Sequence, residues 1–284
     1  MLRLIAAIAL TVLPCLAAAN TGVALVHGTG RQTDAFNGYW TAPFVESVRR
    51  GLPDPANVVV VNCDFTQFIT DSRASGCLAG QLSEFIARRG ITDLVIVAHS
   101  HGGNMVRWIF SNPTFDSRYP GIINVTRRIN ALAPSSAGTP LADAAIAGNS
   151  FEQFVGELVN QRSNAVREQQ VATMANINAT RLYGTPGRPA LPRPFRSVLG
   201  TNVNATPFSP GATCGGFAQS AGLKFTQTFL TVGCSDGFLE CSSQSAAGSI
   251  WFRDNQRTVD GRVLSHHQSR RDCFGLDVIL RDDI

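Results

Sequence analysis

The sequence predicts an α/β fold built on one mostly parallel sheet, and two observations carry that prediction. Short apolar runs at residues 23–26, 58–61, 94–97, 129–132 and 229–232 read as buried strands. Between them lie helical stripes closed by glycine: Phe44, Val45 and Val48 before Gly51, and Leu78, Leu82, Phe85 and Ile86 before Gly90. Strand alternating with helix, without internal repeats, places helices on both faces of such a sheet.

The chain has 284 residues and opens with a leader: Arg3, an apolar stretch from Leu4 to Leu13, and Ala17-Ala18-Ala19 before Asn20. Residues 1–19 are therefore expected to be a signal peptide and 20–284 a single domain, exported to the periplasm or the medium. Cys15 invites a lipoprotein reading, but Pro14 stands where a small residue is expected. No later segment offers the roughly 20 apolar residues of a membrane span. Regular alternation fails between residues 148 and 224. There Phe151, Phe154, Val155, Leu158 and Val159 form one apolar helical face, and six of the 14 prolines fall between Pro186 and Pro210. That interval is expected to hold a cap or lid-like insertion, though ordinary core packing would give the same helical face.

Setting Cys15 aside, six of the seven cysteines remain, an even count that suits three disulfides in an exported chain. Cys63 with Cys77 is the expected first pairing, because only a short loop separates them. The other four, Cys214, Cys234, Cys241 and Cys273, allow three connectivities. No CxxC pair favours a metal, and no metal ligand is assigned. Net charge is +4, with a single lysine among 24 basic residues and the arginines scattered, so no basic stripe marks a nucleic-acid partner. Asn124, Asn178 and Asn204 begin glycosylation triplets, which matter only in a eukaryotic secretory host.

Residues 94–97 stop at Ala98-His99-Ser100-His101-Gly102, and Met105, Val106, Trp108, Ile109 and Phe110 follow as a buried helix. A strand turning sharply into a helix lifts a serine hydroxyl above the sheet and needs small residues two positions to either side. Ser100 is thus the candidate nucleophile, with alanine in place of the usual first glycine. A serine hydroxyl also needs a base and an oxyanion site. Leu25-Val26-His27-Gly28-Thr29-Gly30 is a strand ending in a glycine-rich turn, which offers the backbone N–H of Thr29; the residue after the nucleophile offers that of His101. A dinucleotide fingerprint at Gly28-x-Gly30 lacks its third glycine. Asp236, in Cys234-Ser235-Asp236-Gly237, is the expected orienting acid after a late strand, with Asp260 the fallback. The base is His266 or His267, the histidines beyond Asp236 in the chain order Ser, Asp, His.

Together the segments LVHGTG, VIVAHSHGG, INALAPSSAGTPLAD, CSDGF and SHHQ, spanning residues 23–267, resemble the α/β-hydrolase superfamily, particularly secreted bacterial triacylglycerol lipases and esterases. The AHS form of the elbow is also similar to that of one kind of extracellular polyhydroxyalkanoate depolymerase. The resemblance implies a carboxylic ester substrate, lipid-like or polyester, cleaved through an acyl-enzyme, with possible interfacial contact and no cofactor. Some lipases of this type carry a structural calcium ion, for which no ligand set maps onto this chain. The same fold also hosts non-catalytic binding proteins.

Overall fold

A computed structural model describes residues 19–147, 163–230 and 233–284. The predicted signal peptide (save its last residue) and the amphipathic stretch from Phe151 to Val159 lie outside these residues.

Six parallel strands form one sheet: β1 (Thr21–Val26), β2 (Val58–Val60), β3 (Asp93–His99), β4 (Thr126–Leu132), β5 (Phe195–Leu199) and β6 (Ser249–Arg253), in spatial order β2-β1-β3-β4-β5-β6. Parallel neighbours need crossovers, and helices supply them on both faces. The strands show why their apolar runs are continuous. In β1, Val23 and Leu25 point into a core cluster with Phe44, Val45 and Val48 of α1 (Ala42–Arg49). The intervening Ala24 and Val26 join a second cluster with Leu78, Leu82 and Phe85 of α2 (Cys77–Arg89). Val95 and Val97 of β3 likewise face the first cluster, and Leu94, Ile96 and Ala98 the second. With both faces dry, the runs at residues 23–26 and 94–98 are apolar at every position.

Helix α3 (Gly102–Ser111) leaves the end of β3 and is buried along its whole length. A chain of short helices, α4 (Tyr119–Val125), α5 (Pro140–Ala147), α6 (Asn164–Glu168) and α7 (Val171–Thr180), continues the chain around β4. Helix α8 (Phe217–Gln227) follows β5, and α9 (Leu276–Asp282) packs on the α1 side. A third apolar cluster stands at the carboxyl end of the sheet, where Leu141 and Ala145 of α5, Val166 of α6 and Leu223 of α8 meet Phe238 and Leu239.

Two expectations about strands change. Phe229 and Leu230 do not begin a strand: they extend the end of α8 as turns, with Phe229 N–H bonded to Thr226 O and Leu230 N–H to Gln227 O, and Phe229 about half exposed. The remaining residues of that run, Thr231 and Val232, lie outside the described residues. The sheet positions beyond β4 belong instead to β5 and β6. Strand β5 falls inside the proline-rich interval, so the departure from the sheet between residues 148 and 224 is broken by a return to it.

Cys63–Cys77 is bonded, as expected, and the other four cysteines pair as Cys214–Cys273 and Cys234–Cys241.

Candidate active site

At the carboxyl end of β3 the backbone turns on Ser100, whose φ is +55°, a left-handed conformation that costs a non-glycine residue of order 1–3 kcal/mol. Flanking bonds hold it there: Ser100 N–H donates to Leu132 O (2.9 Å) and Gly103 N–H to Ser100 O (3.0 Å). A Cβ at Gly102 would overlap the His27 carbonyl oxygen, so only glycine lets the start of α3 pass this close to β1. Gly28 is as constrained, since a Cβ there would sit 2.5 Å from the Tyr39 hydroxyl and 2.8 Å from Ser100 Cβ. Ala98 is different. Its methyl is buried in the core cluster on the α2 side, which explains why alanine is accepted where glycine is usual.

Ser100, His266 and Asp236 form one hydrogen-bond chain. The Ser100 hydroxyl lies 3.1 Å from His266 Nε2, and His266 Nδ1 donates to Asp236 Oδ2 at 2.8 Å. Asp236 is fully buried, and its other oxygen accepts the N–H groups of Phe238 (2.9 Å) and Leu239 (2.7 Å). Its own carbonyl accepts His266 N–H (2.8 Å), which fixes the two segments to each other. Asp236 sits in a turn closed by the Cys234–Cys241 disulfide and the bridge between Ser235 and Glu240, not directly after a strand. The segment after His266 is tied to the loop before α8 by Cys214–Cys273.

The other candidates separate clearly. His267 borders the same cavity but faces arginine at both ring nitrogens, Arg270 at 2.9 Å from Nδ1 and Arg271 at 3.3 Å from Nε2. Burial, followed by the two guanidiniums, pushes it down to about 2. Asp260 is an exposed turn residue 3.6 Å from Arg262 and takes no part. Thr29 lines the cavity, its side-chain oxygen accepting from Gln169 Nε2 at 2.8 Å; the following Gly30 pairs with Phe65 in a two-residue ribbon that anchors the loop. His101 opens α3, and its imidazole is fully buried with neither ring nitrogen hydrogen-bonded.

Three supporting residues have no motif to announce them. The Tyr39 hydroxyl donates to His99 Nδ1 (2.6 Å), so His99 Nε2–H is left to donate to the His266 carbonyl (3.0 Å), which Ser269 Oγ also reaches (2.8 Å). Burial above all, then the neighbouring His266 and Arg270, holds His99 well below the ordinary histidine range and therefore neutral. Arg270 crosses the Tyr39 ring, 4.1 Å from its centroid, and bonds the Tyr39 carbonyl. His99 was visible beside Ser100, but its partners lie 60 and 167 residues away. The cavity above Ser100 measures about 60 Å³ and has an apolar wall of Leu223 and Phe238. Among the described residues no group of three or more His, Cys, Asp or Glu side chains is placed to hold a metal ion.

A parallel sheet with a serine on the strained turn after its third strand, an acid and a histidine from later loops, and helices on both faces decides the fold. It is the α/β-hydrolase fold. Solved structures agree. The chain superposes on the mature form of Bacillus licheniformis lipase BlEst2 with a TM-score of 0.68 at 16% identity, over 93% of this chain and 91% of that one. EstA from Clostridium botulinum gives 0.55 at 12% identity over 93% and 86%. The metagenomic carboxyl esterase MGS0156 gives 0.54 at 15% identity over 94% and 77%. No family model matches the sequence, and no curated protein matches it.

Proposed function

We propose that the protein is an exported serine hydrolase that cleaves carboxylic esters through Ser100, His266 and Asp236. The observation that carries this reading is the unbroken chain from Ser100 Oγ through both nitrogens of His266 to the buried Asp236 carboxylate. His266 takes the Ser100 proton as Oγ attacks the ester carbonyl, and the tetrahedral oxyanion accepts the backbone N–H groups of Thr29 and His101. The bond to the alcohol oxygen then breaks, with His266 returning the proton to the leaving alcohol. Water, deprotonated by the same imidazole, attacks the acyl-enzyme and releases the acid and free Ser100. Asp236, held by two backbone N–H donors, keeps Nδ1 protonated and stabilises the imidazolium in both steps.

The structural neighbours named as lipases and a carboxyl esterase support ester chemistry, and the apolar wall of the cavity suits an acyl group. Export is supported by the leader at residues 1–19 and by three disulfides. No helix among the described residues is long and apolar enough to cross a membrane.

The test is peptide mass spectrometry after exposure to a fluorophosphonate, which loses fluoride as the serine oxygen bonds phosphorus. One adduct on Ser100, absent from Ser100→Ala, is expected, together with hydrolysis of an ester panel graded by acyl length and including polyester films. If folded, disulfide-intact protein takes no label even in detergent, hydrolysis is refuted in favour of a binding role.

A further inference from the structure

The cavity above Ser100 has a charge that the ester reaction does not use. Arg270 borders it, together with His267 and Ser100. Among the described residues the partners of this part-buried guanidinium are all uncharged: the Tyr39 carbonyl, the face of the Tyr39 ring at 4.1 Å, and His267 at 2.9 Å. No carboxylate of the described residues acts on it. Arg271 adds a second positive charge from the adjacent position, bonded to the same carbonyl. The acid of the site, Asp236, is committed to His266, Phe238 and Leu239.

Three other confined arginines are paired with carboxylates. Arg128 and Arg196 share Asp283, and Arg118 pairs with Asp116. Arg107, fully buried, also lacks a carboxylate partner among the described residues, but its donors are spent on the carbonyl of Tyr183 and the amide oxygens of Asn104 and Asn178. Arg270 spends two of its five N–H donors on Tyr39 and His267, and its side chain lines the same cavity as Ser100. A desolvated cation without a counter-ion is costly, and the cost is recovered when a bound molecule brings the missing negative charge.

We propose that Arg270 makes the site selective for esters that carry an anionic group, a carboxylate or a phosphate, close to the scissile bond, such as half-esters of dicarboxylic acids. The inference rests on the ester-hydrolase reading above and names the substrate class of that site. A guanidinium binds a carboxylate through two parallel N–H donors, which orients the substrate as well as attracting it.

The test compares charged and neutral isosteres on the wild-type protein. On the acyl side, 4-nitrophenyl hemiglutarate is set against 4-nitrophenyl pentanoate; on the alcohol side, 4-acetoxybenzoate against 4-acetoxybenzamide. The expected result is a kcat/KM at least about tenfold higher for the anionic ester in one arm, declining as salt screens the charge, and the arm that responds shows which half of the ester carries the anion. Arg270→Gln should bring that ratio toward one, while Arg270→Lys should keep part of it. Should Arg270→Gln fail to fold, the wild-type ratios and their salt dependence still decide the matter. Ready hydrolysis of the neutral esters with no anionic preference in either arm overturns the proposal and leaves ester hydrolysis standing, with Arg270 a strut for Tyr39. Failure to hydrolyse any ester overturns both.

Discussion

Replacing His101 with methionine should make the protein markedly less sensitive to acid. The wild-type imidazole is fully buried and neither ring nitrogen has a partner, so burial lowers its pKa from 6.5 to about 4. As pH falls from 6.5 toward 4, the unfolded chain binds a proton at this position and the folded protein does not. Stability must therefore decrease through that window. At pH 5 the unfolded imidazole is nearly all protonated and the folded one about a tenth, which removes about 2 kcal/mol relative to pH 8, rising to about 3 kcal/mol below pH 4. His101→Met is close in volume, leaves the backbone N–H in place, and removes both the titration and two unpaired polar atoms. Urea denaturation followed by circular dichroism at pH 5 and pH 8 measures the effect. The variant should lose about 2 kcal/mol less than wild type between the two, or about 4–8 °C less in Tm. An identical loss in both proteins, with equal m-values, would refute the claim that His101 is neutral in the folded state.

Gly102→Ala should cripple the site, because the new methyl overlaps the His27 carbonyl and no flexible side chain can yield; a lower Tm together with loss of fluorophosphonate labelling at Ser100 is expected, and normal labelling would contradict it. Glu168 is buried against Ile69 N–H, and that burial raises its carboxyl to about 7 from 4.5. The unfolded chain releases this proton first, so the wild type loses roughly 3 kcal/mol as pH rises from 4.5 to 7. Glu168→Gln should then be more stable than wild type at pH 8 and differ least at pH 5; a constant difference across that range would mean the carboxylate is not strained by burial.

Strands β1 and β3 were legible because two dry faces leave no choice but continuous apolar sequence, and β2 and β4 from the shorter runs at 58–61 and 129–132. β5 was not, since Arg196 and Ser197 interrupt its run: the Arg196 guanidinium leaves the sheet to stack on Trp251 and bond Asn130, so a polar residue occupies a strand without breaking it. β6 lies at the sheet edge with Ile250 half exposed, and an edge needs no continuous apolar run. Phe229 and Leu230 come from a run of strand composition yet leave α8 as turns, because composition records local preference and the sheet positions are filled by β5 and β6. In the site, Ser100 and its small neighbours could be found from spacing, since the turn itself imposes them. Asp236 and the two adjacent histidines followed from chain order, and only geometry separates His266 from His267. Tyr39, His99 and Arg270 act across 60 to 231 residues through hydrogen bonds that leave no local pattern.

The five histidines show how one imidazole can be set apart for proton transfer. His27, His99, His101 and His267 are all pushed down, in each case first by burial, and none of them has a carboxylate of the described residues hydrogen-bonded to its ring. His266 alone has one. In the proposed mechanism the Arg270 guanidinium, which lines the same cavity, opposes the proton that His266 must hold as imidazolium, and Asp236 is the charge that counters it. That requires the carboxylate to be pinned, which the Phe238 and Leu239 N–H groups do, inside a turn closed by a disulfide. It also requires His99 to stay neutral while touching the His266 carbonyl, which the Tyr39 hydroxyl secures by occupying Nδ1. Tyr39 is in turn held by Arg270. The cation proposed to select the substrate thus also braces the residue that keeps the base in register, so substrate charge and proton transfer meet in one small cluster.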